Sequence, residues 1–444
     1  MDRTALSTSR SDASTESTHL IRLESAGMTA LAETLLQSGQ SVSASVDSDF
    51  GEMPMDRLKA LGLRVHQGHA SRNPLPQARR LIHPIGMPVT NHQRLSALGR
   101  NIEQVSMHDA LDELLGPFAT IAVFGGRIAR VAATMIGWIL THSGQDPTLI
   151  LEAEIPDRLS RGRFGRGTFA VLDLPPEAIQ WTPEGTCLAV VLDVRPTPEE
   201  GCSEAFDPAH SMSADRAVLR LAEAGGPIEL SQASGPKREQ LSLNEGHDWW
   251  GADLRPDRGR YRFRVFYQGE FVLEVKLTCP GRRYVIGALA AIAACRSIDL
   301  DIDLIREALE EFQGISRGFD LRGTYRGVTL IDDDAVEASD VAETLSLARM
   351  IYGRRRIWAV YSSTSGGSLP GSCLTSADQV LSLGQCSDPL RDKTARQAAD
   401  REEALWNLDQ HLEPGDVLVT LGAAEMGTIA DAFIRRLPRD RQDR

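Results

Sequence analysis

The chain has 444 residues, 42% of them apolar and 25% charged. That length and balance point to two or three globular domains rather than one. The formal net charge of −13 excludes a general binder of nucleic acid or of an anionic membrane, which needs an excess of Lys and Arg, but leaves room for a local basic pocket.

Residues 1–18, "MDRTALSTSRSDASTEST", are Ser/Thr-rich without an apolar core. They read as a disordered tail and not as a secretory signal. A strand is expected at His19–Leu23, a helix at Met28–Gln37, a strand at Ser41–Val46, and then an amphipathic helix ending at Gly62. Alternating elements of this length imply a parallel sheet with helices on its faces. A helix over Met107–Leu115 leads into the apolar run Thr120–Phe124, then the pair Gly125 and Gly126, then a helical pattern from Val131 onward. Residues 156–168 read as an Arg/Gly-rich loop, Val190–Val194 as a buried strand, and 196–216 as weakly patterned. Alternation returns at Tyr261–Thr278 as a hairpin turning at Gln268 and Gly269. Two helices follow, "VIGALAAIAACRSI" and one stopping at Gly314. The last section holds a strand pair ending in Asp332, Asp333 and Asp334, a helix with Ser339 as N-cap, a strand "RRIWAVYSS", and a final strand and helix in "DVLVTLGAAEMGTIADAFIRRL".

The six cysteines form no C-x-x-C pair and have no His cluster beside them. They read as free thiols of a reducing compartment, with a disulfide or zinc framework as the alternative. The longest clean apolar run, near Val285–Cys295, is far short of the ~20 residues that span a bilayer. The expected location is cytoplasmic, with no membrane and no nucleic acid as partner.

Strand, glycine turn and helix is the arrangement that cradles nucleotide phosphates at a helix N-terminus. In "AVFGGRIARVAATMIGW" no lysine follows the glycines, and no Ser or Thr stands where a magnesium ligand belongs. Arg127 and Arg130 are the candidate anion-holding groups, with an exposed basic turn as the alternative.

The order and wording of several stretches resemble the Mur ligase family, in the branch of the UDP-N-acetylmuramate-alanine ligases. They include "AGMTALAETLLQSGQSVSAS" (Ala26–Ser45), "IAVFGG" (Ile121–Gly126), "GQDPT" (Gly144–Thr148), "PGRRYVIGALAAIAA" (Pro280–Ala294), "GISRGF" (Gly314–Phe319), "GVTLIDDDA" (Gly327–Ala335) and "GDVLVTLGAAEMGTIA" (Gly415–Ala430). The resemblance implies an α/β protein of three α/β domains. These are a Rossmann-like UDP-sugar domain (19–107), a central P-loop-type ATPase fold (108–313) and a Rossmann-like C-terminal domain (314–444). It also implies ATP and Mg as cofactors, and an acyl phosphate that an incoming amine displaces.

Laid on the family's Gly-x-x-Gly-Lys-Thr loop, Gly125 keeps the first glycine while Ile128, Ala129 and Arg130 replace the second glycine, the lysine and the threonine. A left-handed backbone at Ile128 would be an outlier. In the N-terminal turn only Gly27 and Met28 match, and Glu24 brings a carboxylate to where a pyrophosphate would sit. Asp173 and Asp193 are the acids placed near a magnesium site, with ordinary loop acids as the alternative. The family's His falls near Pro198. The adenine-side Asn positions are Tyr284 and Gly287. Asp332 and Asp333 match, the His pair after them does not, and the later Pro-His-Arg stretch is Ser363, Thr364 and Ser365. Arg317 is kept, as an anion contact or an interdomain salt bridge.

Fold-building residues therefore match the family while phosphate-handling ones do not. The leading reading is a catalytically inactive pseudoenzyme related to peptidoglycan precursor synthesis. It would act by binding a peptidoglycan-synthesis protein or a UDP-sugar-like ligand, with no confident cofactor. The alternative is an active ATP-dependent amide ligase joining L-alanine or another amino acid to UDP-N-acetylmuramate or a related carboxylate. An assembly protein with no small-molecule site is the third reading.

Overall fold

The computed structural model describes residues 17–46, 55–67, 78–176, 178, 181–193, 214–222, 236–362, 369–384 and 395–436. Pro198 and Ser363, Thr364 and Ser365 lie outside the described residues, as does the stretch 196–213. The fold is α/β with three sheets. The described residues fall into two compact units, one through Leu114 and one from Leu115 onward.

The first unit is a five-stranded parallel sheet built from β1 (Ser17–Leu20), β2 (Ser41–Val46), β3 (Arg64–Gln67), β4 (Arg80–His83) and β5 (Glu103–Ser106). Their order is β3-β2-β1-β4-β5, the first five positions of the doubly wound dinucleotide-binding order. Helices α1 (Ala26–Gln37), α2 (Met55–Ala60), α3 (His92–Gly99) and α4 (Met107–Leu115) accompany it. The first strand begins at Ser17 and ends at Leu20, earlier than His19–Leu23, because Arg22 turns into the left-handed region (φ 56°). The Ser25 hydroxyl accepts from the Met28 N–H (3.3 Å) and caps α1, which starts at Ala26 rather than at Met28. A buried polar knot sits at the sheet centre: His19 bridges Ser43 and Ser45, both at 2.8 Å. Burial, with His66 beside it, lowers the His19 pKa to about 3, so the ring is neutral.

The second unit begins with a ten-stranded sheet. Its strands are β6 (Ala119–Phe124), β7 (Thr148–Ile150), β8 (Gly162–Arg163), β9 (Phe169–Leu174), β10 (Thr186–Val191), β11 (Ala217–Leu221), β12 (Lys237–Ser242), β13 (Trp249–Asp257), β14 (Arg260–Tyr267) and β15 (Glu270–Lys276). The order is β15-β14-β13-β12-β11-β10-β6-β9-β7-β8. The strands from β12 through β7 run parallel, and the expected hairpin β14–β15 turns at Gln268 and Gly269, both with positive φ. The buried strand spans Thr186–Val191, not Val190–Val194, and the 156–168 stretch contains β8. Two long apolar helices, α5 (Arg127–His142) and α6 (Arg282–Ser297), pack on each other against this sheet, followed by α7 (Ile302–Glu311). A Cβ on Gly287 would stand 2.6 Å from Val131 Cγ1, so the glycine in the family's Asn position is what lets the two helices touch.

The chain then crosses once, through residues 312–317, to a six-stranded sheet. It comprises β16 (Gly318–Tyr325), β17 (Val328–Asp333), β18 (Ile357–Ser362), β19 (Gln379–Leu383), β20 (Ala395–Ala398) and β21 (Val417–Leu421), in the order β16-β17-β21-β18-β19-β20 with β16 antiparallel. Helix α8 (Ala338–Tyr352) covers one face, while α9 (Arg401–His411) and α10 (Ala424–Arg436) cover the other; each face has its own apolar core. The N-cap of α8 is Glu337, and Ser339 lies inside the helix. Among the described residues Cys187, Cys279, Cys295 and Cys373 are buried free thiols, and no helix is long and apolar enough to cross a membrane.

Beside the crossing lies a cleft of about 640 Å³, with Arg260, Tyr352 and Asp320 among its lining residues. Burial, opposed by Arg322, pushes the Asp320 carboxyl from 3.8 up to about 6. A carboxyl whose folded pKa is raised binds more protons folded than unfolded, so stability falls as pH climbs from about 4 to about 6. Asp320→Asn is therefore expected to stabilise the protein by about 3 kcal/mol above pH 6 and by nothing below pH 4. Urea midpoints across that range check it; a gain that persists at low pH contradicts the assignment.

Candidate functional site

Strands β6, β7, β9 and β10 are parallel neighbours, so their carboxyl ends gather at one edge, where open α/β sheets place their sites. That edge carries the glycine turn after β6, Glu152 after β7, Asp173 near the end of β9 and Asp193 after β10. The turn is tight. Gly125 has φ +146°, and a Cβ there would lie 2.6 Å from Asp193 Oδ1, so only glycine fits. Helix α5 starts directly after Gly126, four residues before the expected Val131.

The Asp193 carboxylate sits in this turn. Gly126 N–H donates to its Oδ1 (3.0 Å) and Ile128 N–H donates to its Oδ2 (3.2 Å). These are the N-cap amide and the second amide of α5, groups that a helix N-terminus offers to an anion. Ile128 is helical rather than left-handed, so the anticipated backbone outlier does not arise; its side chain packs on the central core. Ala129, in the lysine position, is fully buried. Asp173 accepts from the Glu152 N–H (3.2 Å). Burial pushes its carboxyl up, the Glu152 carboxylate adds to this, and Arg130 opposes it.

Both loop arginines reach the third sheet. Arg127 Nη2 donates to Asp333 Oδ1 (2.5 Å) and its Nε to Asp334 Oδ1 (2.8 Å). Arg130 pairs with Asp334, and with Glu152 at 2.8 Å. The exposed basic turn is therefore not what the structure contains: the two side chains are 16% and 25% exposed and are ion-paired. Burial opposes the charge on Arg130, and Asp334, Glu152 and Asp173 outweigh that, raising its pKa. Burial likewise acts to raise Asp334, and Arg130, Arg127 and Arg283 override it, holding the carboxyl below its usual range.

The three consecutive acids end in three different settings. Asp332 is satisfied by Arg317 Nε (3.0 Å) at the end of the crossing and by the Thr420 hydroxyl (2.7 Å) of its own sheet. Arg317 also donates to the Gly422 carbonyl (2.6 Å), so its ion pair stays with the third sheet and does not bridge to the central one. Asp333 is fully buried and accepts from Arg127, Arg283, the Phe319 and Ala335 amides and the Thr344 hydroxyl. Asp334 is held by Arg127 and Arg130. Among the described residues no group of three or more His, Cys, Asp or Glu could hold a metal ion.

Two residues of the stretch laid on the family's adenine-side motif, Arg283 and Tyr284 at one of its Asn positions, help build the junction between the sheets. Arg283 Nη2 donates to Asp333 Oδ2 (2.8 Å), and the Tyr284 hydroxyl donates to the Gly318 carbonyl (2.6 Å). In the first unit Gly27 lies in α1, where a Cβ would meet Met107 at 2.8 Å, and Met28 is buried. Glu152 was not anticipated; an acid just past a buried parallel strand was the available signal.

No protein-family model matches the chain. Over 94% of its length it is 26% identical to a UDP-N-acetylmuramate-L-alanine ligase of Sulfurihydrogenibium sp., covering 97% of that protein. It is 27% identical to the same enzyme of Solibacter usitatus over 94% of this chain and 95% of the relative. Its fold superposes on the UDP-N-acetylmuramate-alanine ligase of Thermotoga maritima with a TM-score of 0.77 at 19% identity, covering 95% and 98% of the two chains. The chain is similar to Mur ligases over nearly its whole length and shares their fold. A murein peptide ligase from Psychrobacter arcticus shares the Mur ligase fold with it at a TM-score of 0.69 and 17% identity. Against that background this Mur ligase homologue has a self-filled glycine turn and an ion-paired pair of loop arginines.

Proposed function

We propose that this Mur ligase homologue serves peptidoglycan precursor synthesis by binding a UDP-sugar-like ligand, without ATP-driven ligation. The UDP-sugar part rests on the likeness to the relatives; the observation that carries the absence of ligation is the Asp193 carboxylate on the Gly126 and Ile128 amides. A phosphate brought to that turn meets a like charge. Two unit charges about 4 Å apart repel by about 4 kcal/mol at an effective dielectric of about 20. No lysine follows the glycines to offset this, and Arg127 and Arg130 are already neutralised by Asp333, Asp334 and Glu152. The residues at the turn do not fit a magnesium triphosphate.

A second reading has its own support. The relatives named above are ligases, similar over nearly the full length of both chains, and that likeness by itself favours an active ATP-dependent ligase over a non-catalytic protein. In that reading Asp193 leaves the turn and the loop arginines exchange their carboxylates for phosphate. Phosphate release from ATP and Mg, with UDP-N-acetylmuramate and L-alanine present, separates the two. The proposal expects no release above the protein-free rate. Sustained release that requires both added substrates establishes the ligase.

A further inference from the structure

Besides the Tyr284–Gly318 hydrogen bond, three kinds of contact between the third sheet and the central one bear on how they are held. The first is the single chain crossing at residues 312–317. The second is apolar: Cβ atoms on Gly259 and Gly281 would lie 3.0 and 3.2 Å from Leu347 of α8, so the two backbones press closely on that helix. The third is ionic, linking Arg127 and Arg130 of α5 and Arg283 of α6 to Asp333 and Asp334.

We propose that the ionic set is a strap that holds the third sheet against the glycine turn with no nucleotide present, and that releasing it lets the third sheet move about the 312–317 crossing. The three acids argue for this. Asp332 is held by Thr420 of its own sheet and by Arg317 at the end of the crossing. Among the described residues, Asp334 receives its side-chain bonds from α5, so its charge is committed to the junction. Arg127 starts the strap one residue after Gly126, the residue whose amide holds Asp193. The close apolar contact at Gly259 and Gly281 is short-ranged and suits a pivot; the charged contact spans long side chains and suits a latch. The network also accounts for arginines at positions 127, 130 and 283, which a bare packing interface would not require. The surrounding arginines override burial and hold the Asp334 carboxyl below its usual range, which keeps the strap charged at neutral pH.

The strap concerns conformation, so it stands or falls apart from the proposed function, which phosphate release reads. The crossing supplies two reporters: Ile315 N–H donates to the Tyr284 hydroxyl (3.3 Å), and Ser316 N–H donates to the Glu154 carbonyl (2.9 Å). Hydrogen exchange on the full chain is compared for the parent, Arg130→Gln, Asp334→Asn and the double variant. Removing one partner of a desolvated pair leaves the other charge uncompensated, so Asp334→Asn should speed exchange at Ile315 and Ser316 on the order of tenfold or more. Adding Arg130→Gln to it should change nothing further, because the shared pair is already gone. Core amides such as those of Ile292 and Val419 should exchange at the parent rate. If Asp334→Asn does not fold, Arg130→Gln decides in its place and should speed the same two amides, because it removes the other partner of the same pair. Unchanged exchange at the crossing in the variants that fold overturns the strap. So does acceleration that the core amides share, which marks general destabilisation.

Discussion

Replacing Asp333 with alanine is expected to destabilise the protein by ~3–5 kcal/mol, the range for removing one member of a buried ion pair. The side chain is fully buried and accepts five hydrogen bonds from groups that have no water to turn to. Arg283, itself 10% exposed, would be left with an uncompensated charge. Asp333→Asn keeps the shape and loses the charge, so it should fall between the parent and alanine. Urea denaturation measures both. A loss below about 1 kcal/mol for alanine, the net worth of a single ordinary hydrogen bond, contradicts the burial and pairing described above.

The second large effect is expected at the turn. Clearing it with Asp193→Gly, and supplying the family's groups with Ile128→Gly, Ala129→Lys and Arg130→Thr, should create ATP and Mg binding that the proposal expects to be absent from the parent. The glycine opens the backbone, the lysine brings a cation to the β- and γ-phosphates, and the threonine offers a metal ligand. Bound ligand at about 100 times its Kd stabilises by about 2.7 kcal/mol, which a thermal shift resolves. The substitutions also remove the Arg130 pairs with Asp334 and Glu152, so the shift is read against the same variant without nucleotide. A rebuilt protein that gains nothing, while remaining folded, would mean that the turn itself is not what keeps nucleotide out.

Most of the fold was legible because its signals are local. The apolar run before Gly125, the alternating β14–β15 hairpin and the two apolar 16-residue helices each announce themselves within one window. The errors are local too. Arg22 takes a left-handed turn that no propensity marks, and α5 begins at Arg127 because nothing after Gly126 interrupts it. The site was legible only in pieces. The glycine turn, the arginines and the acidic cluster were each visible, but Arg127 and Asp333 are 206 residues apart and their pairing depends on how two sheets meet. The resemblance placed Asp193 near a magnesium site, but its seat on the turn amides follows from β10 lying next to β6. Gly287 looked like a lost amide, and helix packing gives it a reason of its own.

The carboxylate in the glycine turn either excludes nucleotide or gives way to it, and calorimetric titration of ATP and Mg into the unaltered protein decides between the two most directly. The expected result is no saturable heat at any practical nucleotide concentration. A saturable isotherm with a micromolar Kd, abolished by a bulky substitution at Gly125, would contradict it.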